Sequence, residues 1–272
     1  MTRTVPARRQ LAGRLSVGLA IALAASGVAL AAGTTTDLPA SGGAKQRVLY
    51  IQPSNPSAAL ILFAGGDGNI KLTSDGTPAA GGNFLVRTRD DWTQQGMAVA
   101  IPDVPNNLKS LFNHRTTADY ADDIGKIIAY VRTQTKAPIW LVGTSQGTNA
   151  AVGAASRLTH GEIAGVVLTS TLTRQGSKPN LKETVYDSNL AAINVPVLIF
   201  SHTGDKCDLT PPGDGTALKA ALKSSPKVEV AMASGGLAPI SPPCEAKAEH
   251  GFYGIEPAVV AQIAGWIKSN TK

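Results

Sequence analysis

Cysteine is nearly absent from this chain, with only Cys207 and Cys244 among 272 residues. Two cysteines without an organised set of histidines do not make a complete metal site, so zinc is not what organises the fold. Charge is sparse too: 16% of residues are charged and 43% hydrophobic, which excludes the polar, highly charged signature of disorder and leaves room for one ordinary core. There is no Lys/Arg run and no basic stripe interleaved with aromatics, so nothing argues for nucleic acid as a partner. Long apolar runs are missing as well. The longest, from about Leu15 to Leu30, is rich in Ala and Gly and falls short of the roughly 20 residues that span a bilayer.

That run has a different reading. Arg3, Arg8, Arg9 and Arg14 flank its N-terminal side, and it closes on the small residues Ala29-Leu30-Ala31, the pattern of an export signal cleaved after Ala31. The Arg8-Arg9 pair is compatible with twin-arginine export but is ordinary in any signal. These arginines account for four of the six net positive charges, so the basic character is mostly a property of residues 1–31. No cysteine stands at the cleavage site, which excludes a lipoprotein anchor; the expectation is an exported protein, periplasmic or secreted, with no stable membrane anchor after cleavage. In such a compartment the even pair Cys207 and Cys244 is a candidate disulfide, two buried thiols being the alternative.

Residues 32–46 are small, polar and Gly/Thr/Ser-rich, and read as a flexible arm. From residue 47 to 272, short apolar runs alternate with helical patterns, as in a doubly wound, mostly parallel α/β sheet flanked by helices. Strands are predicted at 48–52, 60–64, 98–102, 139–142, 165–170, 195–201 and 228–232, mostly apolar on consecutive positions, as strands covered on both faces should be. Helices are predicted around 84–95, 118–132, 146–157, 216–223 and 257–268. In the second of these Ile124, Ile127, Ile128 and Val131 share one face, with Asp122, Asp123 and Lys126 near the other. Only about two dozen residues, rich in Lys, Asn, Ser and Thr, separate Ser170 from Val195, which leaves little room for a cap domain.

The most informative segment runs from Ile139 to Ala151: an apolar strand, then Gly143-Thr144-Ser145-Gln146-Gly147, then a helix of small residues. A tight turn between strand and helix lifts the serine hydroxyl above the sheet edge, and the glycines admit backbone where a Cβ would clash. The helix start aims unpaired N–H groups at the place where an oxyanion would form, which makes Ser145 a candidate nucleophile and the N–H of Gln146 a candidate oxyanion donor. A nucleotide-binding turn would need a G-x-G-x-x-G or G-x-x-x-x-G-K-S/T pattern here, and neither is present.

With these residues the chain resembles the α/β-hydrolase superfamily. More narrowly, it is similar to small bacterial exported hydrolases of esterase or dienelactone-hydrolase type that combine a Gly-Gly-Asp-Gly-like loop (Gly65 to Gly68), this elbow, and a late Pro-Cys followed by His250-Gly251-Phe252. The likeness runs from about Arg47 to Trp266. It implies a Ser-acid-His order, with the acid after a late strand and the histidine just before the last helix. His250 stands at the histidine station. Asp205 and Asp208 both stand at the acid station, Asp205 favoured by its distance from the strand end and by the resemblance. Glu245 and Glu249 lie too near His250 in sequence to match. His202 reads as a packing or loop-tethering residue, and His114 and His160 as solvated ones, of which His114 could reach a substrate. A second oxyanion donor is expected from Gly66 or Asp67, on the loop after the 60–64 strand. A Cys207–Cys244 bridge would staple the acid loop to the histidine loop.

The implied reaction is acyl transfer to water on a small-molecule ester, with no metal or organic cofactor. With so little sequence for a lid, short or soluble esters are expected over long lipids. A peptidase or acyltransferase on the same scaffold is the rival enzyme reading. A pure binding protein would have lost a triad position, and all three are filled.

Overall fold

The computed structural model describes residues 1–4, 33–158 and 161–271. The proposed signal falls almost wholly on residues 5–32, outside the described ones, as does His160. The strands are β1 (Thr34–Pro39), β2 (Lys45–Ile51), β3 (Ala58–Phe63), β4 (Met97–Pro102), β5 (Ile139–Thr144), β6 (Gly165–Thr169), β7 (Val197–His202) and β8 (Val228–Ala233). The helices are α1 (Phe84–Arg87), α2 (Arg89–Gln94), α3 (Ala118–Gln134), α4 (Gly147–Ala155), α5 (Gly215–Ala221) and α6 (Glu256–Asn270). Among the described residues the strands form one eight-stranded sheet in the order β1-β2-β4-β3-β5-β6-β7-β8. The pairings of β1 with β2 and of β2 with β4 are antiparallel and all the others parallel. The predicted doubly wound sheet is therefore observed.

Its central strands are apolar throughout because both faces are covered. Alternate residues of β3 divide between two cores: Ile61 and Phe63 pack with Ile124, Ile127 and Val131 of α3 and Ala150 and Ala151 of α4. Leu60 and Leu62 pack with Trp92 of α2 and Val260 and Ile263 of α6. The two-residue period of a strand is what sends neighbours to opposite layers. β8, at the far edge, is only half-buried.

Three local expectations need correction. The stretch 32–46 was expected to be a flexible arm, but from Thr34 on it is tied down. Thr34 to Pro39 pair with β2, and Asp37 forms an ion pair with Arg47 at 2.7 Å. Asp123, expected near the polar face of α3, is buried because its Oδ1 accepts from the Ser41 N–H and Ser41 Oγ, each at 2.8 Å, and from Lys126 Nζ at 2.9 Å. Composition hid this, since polar residues in a loop and polar residues anchoring a strand look alike. The single helix predicted over 84–95 is broken at Thr88, whose hydroxyl donates to the Phe84 carbonyl at 2.7 Å and accepts from the Trp92 indole at 3.1 Å.

Between β6 and β7 the chain makes short 3-10 turns at Pro179–Leu181, Val185–Asp187 and Leu190–Ala192, and no cap domain. No helix among the described residues is long and apolar enough to cross a membrane.

Candidate active site

β5 ends in a turn whose geometry explains its glycines. A Cβ on Gly143 would stand 2.4 Å from the Gly147 carbonyl oxygen, and one on Gly147 would stand 2.1 Å from that of Phe63. Both neighbours are backbone and cannot swing away, so the start of α4 rests directly on the end of β3 because both positions lack a side chain. Between them Ser145 takes a φ of +52°, a left-handed conformation that costs a non-glycine residue about 1 kcal/mol or more. The conformation is over-determined: the Ser145 N–H donates to Thr169 O of β6 at 3.0 Å, while the Ser145 carbonyl accepts from Thr148 N at 2.9 Å and Thr148 Oγ1 at 2.6 Å. Ser145 remains partly exposed at the C-terminal edge of the sheet.

The loop after β3 forms the facing wall. Gly68 N donates to Gly65 O at 3.2 Å, closing a turn in which Gly66 has φ +60°. Its outward carbonyls are held from beneath: Arg115, wholly buried, donates through Nη2 to Gly66 O at 2.9 Å and to Ala64 O at 3.3 Å, and Leu111 N donates to Asp67 O at 2.8 Å. Burial lowers the pKa of this guanidinium. Among the described residues, the N–H groups of Gly66, Asp67 and Gln146 donate to nothing, and all three residues line the same cavity. Arg115 has no motif around it, and only the fold brings it under the loop.

The acid and histidine loops meet across the cavity. His250 Nδ1 lies 3.0 Å from Asp205 Oδ2 in a pair that is almost entirely buried. Asp205 is further fixed by Cys207 N, which donates to Oδ1 at 2.9 Å, and by Thr210 Oγ1, which donates to Oδ2 at 3.1 Å and lies 3.1 Å from His250 Nδ1. Asp208, the other residue at the acid station, is exposed and has no part in this network. The histidine loop is pinned from behind: Ser170 Oγ donates to His250 O at 2.8 Å, and Arg87 Nη2 donates to Gly251 O at 2.6 Å and Ala246 O at 3.0 Å. A Cβ on Gly251 would stand 2.0 Å from the Ala246 carbonyl, so that neighbour must be glycine. Thr210 and Arg87 carry no sequence signal, since a lone Thr on a loop and an Arg in a short helix are commonplace.

His202 tethers its loop, as expected: Nδ1 accepts from Gly204 N at 2.9 Å, which leaves Nε2–H to donate to Gly235 O at 2.9 Å. His114 lies tilted against Tyr120, with ring centres 5.7 Å apart, and does not line the cavity, so it is not placed to reach a substrate there. Cys207 and Cys244 form a disulfide with Cα atoms 4.6 Å apart, and both line the cavity wall.

The cavity encloses about 660 Å³. Ser145, Gln146 and His250 are on its floor and sides, with Phe84, Phe112 and Leu209 giving apolar surface. The segment between β6 and β7 reaches the site, where Lys178, Asn180 and Leu181 form part of the wall. Among the described residues no group of three or more His, Cys, Asp or Glu side chains is placed to hold a metal ion.

No protein-family model matches the chain, and no curated protein matches it in sequence. Solved structures do resemble it in shape. An esterase of Pyrococcus furiosus aligns with a TM-score of 0.62 at 12% identity, covering 88% of this chain and 91% of that one. A cold-adapted esterase from an Arctic intertidal metagenomic library aligns with a TM-score of 0.59 at 14% identity, covering 88% and 93%. A dienelactone hydrolase of Anabaena variabilis aligns with a TM-score of 0.54 at 14% identity, covering 89% and 100%. At these identities the likeness is one of architecture: the chain has the α/β-hydrolase fold.

Proposed function

We propose that this chain is a serine hydrolase that cleaves carboxylic esters through an acyl-enzyme on Ser145. One observation carries the reading: a positive-φ serine on a strand-to-helix turn shares a cavity with a buried imidazole whose Nδ1 is 3.0 Å from a buried carboxylate. That carboxylate, Asp205, holds His250 in the tautomer with Nδ1–H donating, so Nε2 is free to accept a proton. His250 takes the Ser145 hydroxyl proton as Oγ attacks the ester carbonyl. The tetrahedral oxyanion is stabilised by the N–H of Gln146 and by one from Gly66 or Asp67, groups otherwise without acceptors. Collapse expels the alkoxide, which His250 protonates. Water, deprotonated by the same imidazole, then releases the acid and regenerates Ser145.

That solved structures of similar shape are described as esterases and a dienelactone hydrolase supports an ester as substrate. A cavity of about 660 Å³ suits a small soluble ester. Export is part of the same reading, supported by the signal-like N-terminus and by a disulfide that an oxidising compartment would preserve.

The test is fluorophosphonate labelling of the mature protein beside Ser145→Ala and His250→Ala, followed by p-nitrophenyl esters and a peptide panel. Labelling and ester turnover that vanish in Ser145→Ala and fall sharply in His250→Ala are expected. Folded wild-type protein that takes no label would overturn the reading, and turnover confined to peptides would replace ester with amide.

A further inference from the structure

The oxyanion donors named so far are backbone groups, but a side-chain amide lines the same cavity. Asn83 precedes α1 with an extended backbone (φ −59°, ψ 145°), and its Oδ1 accepts the Leu85 N–H at 3.1 Å. Capping requires an acceptor, so this bond fixes the orientation of the carboxamide: oxygen to the helix, nitrogen to the opposite side. On that side Nδ2 lies 3.2 Å from the point where a Cβ on Gly65 would stand, and that point is 3.0 Å from the Thr144 carbonyl oxygen and 3.1 Å from the Cβ of Ser145. Gly65 thus keeps clear a short space bordered by the amide, the Thr144 carbonyl and the serine. Nδ2 donates to no described residue, and Asn83 lines the cavity shared with Ser145, Gln146 and Gly66.

Resting on the acyl-enzyme reading above, we propose that Asn83 is a catalytic residue whose Nδ2–H donates a hydrogen bond to the tetrahedral oxyanion formed on Ser145. The donor is preorganised, because its other end is committed to the helix, and it has no competing acceptor among the described residues. Such a donor acts on the transition state more than on the bound ester, so its loss lowers kcat rather than raising KM. The amide loses no proton; it offers a dipole to an oxygen that gains charge on attack and gives it up when the alkoxide leaves.

Helix capping is the competing role, and the two separate cleanly. Ser and Asp cap about as well as Asn, but neither presents an N–H donor to the oxyanion. Asn83→Ser and Asn83→Asp should therefore keep the wild-type melting temperature while kcat falls about 10²- to 10³-fold, with KM changed far less. Affinity for an aryl boronic acid, a tetrahedral adduct former, should fall in parallel with kcat/KM in both variants. If both melt and turn over like wild type, Asn83 is only a cap and the proposal is overturned. A raised KM with unchanged kcat would overturn it too, because the amide would then contact only the ground state. Should wild-type protein fail to take fluorophosphonate, the serine reading falls and this one with it. Wild-type turnover that depends on Ser145, beside fully active Asn83 variants, removes this proposal alone.

Discussion

The elbow and the acid–histidine pair face each other across one cavity and are built on opposite principles. The elbow is local: Gly143, Ser145 and Gly147 lie within five consecutive positions, and backbone contact with β3 and β6 sets the serine's conformation. The acid–histidine pair is assembled from residues 45 apart and held by side chains, through Thr210, the disulfide, and Arg87 behind the histidine loop. One half tolerates no added atom, whereas the other depends on a set of bonds that can be removed one at a time.

The contrast breaks most severely at Gly147. Its Cβ would stand 2.1 Å from a backbone carbonyl, so Gly147→Ala is expected to cost about 3 kcal/mol or more in denaturant unfolding and to abolish ester turnover together with it. A variant that unfolds at the wild-type midpoint would show that α4 can retreat from β3. Next comes the staple, which closes a loop spanning 37 residues. Cys207→Ala with Cys244→Ala, or reduction, should cost about 2 to 3 kcal/mol and lower turnover before global unfolding, because Cys207 N also holds Asp205. If reduced protein keeps full turnover, the acid loop is positioned without the bridge.

Thr210→Val should leave the melting temperature nearly unchanged yet lower kcat about tenfold, the worth of one hydrogen bond to a buried carboxylate, with Thr210→Ser restoring most of it. Equal rates for Val and Thr would mean that Asp205 and His250 need no third partner. The smallest effect is expected at the rim of the acid half, where Arg174 pairs with Asp214 at 2.9 Å on a partly exposed surface. The Arg174 hydrogen bond lowers the Asp214 pKa, so its stabilisation is present above the ordinary carboxylate range and is lost as pH falls through the lowered value. Arg174→Ala should thus lower the melting temperature slightly at neutral pH and not at all in strong acid, as thermal melts at both pH values would show.

The elbow was legible in the sequence because its constraint is steric and acts between near neighbours, leaving glycines at a fixed spacing. The sheet was legible for a similar reason, since strands covered on both faces must be apolar at every position. Asp205 and Asp208 could not be told apart by composition, and the difference between them is burial, which depends on where Thr210 and His250 come to rest. The tie between Ser41 and Asp123 was hidden because a polar side chain reads the same whether water or a neighbour satisfies it.

By itself, then, the sequence determined a doubly wound α/β chain, a serine on a tight strand-to-helix turn between two glycines, and a candidate acid, histidine and cysteine pair downstream. Periodicity and excluded volume operate over a few residues, so they leave a readable trace. The tertiary structure decided which aspartate meets the histidine. It also decided that Thr210 and Arg115 support the site from behind, and that the Asn83 side chain lines the cavity shared with Ser145. Those contacts join residues tens of positions apart, and only the packed sheet and its loops bring their atoms within hydrogen-bonding range.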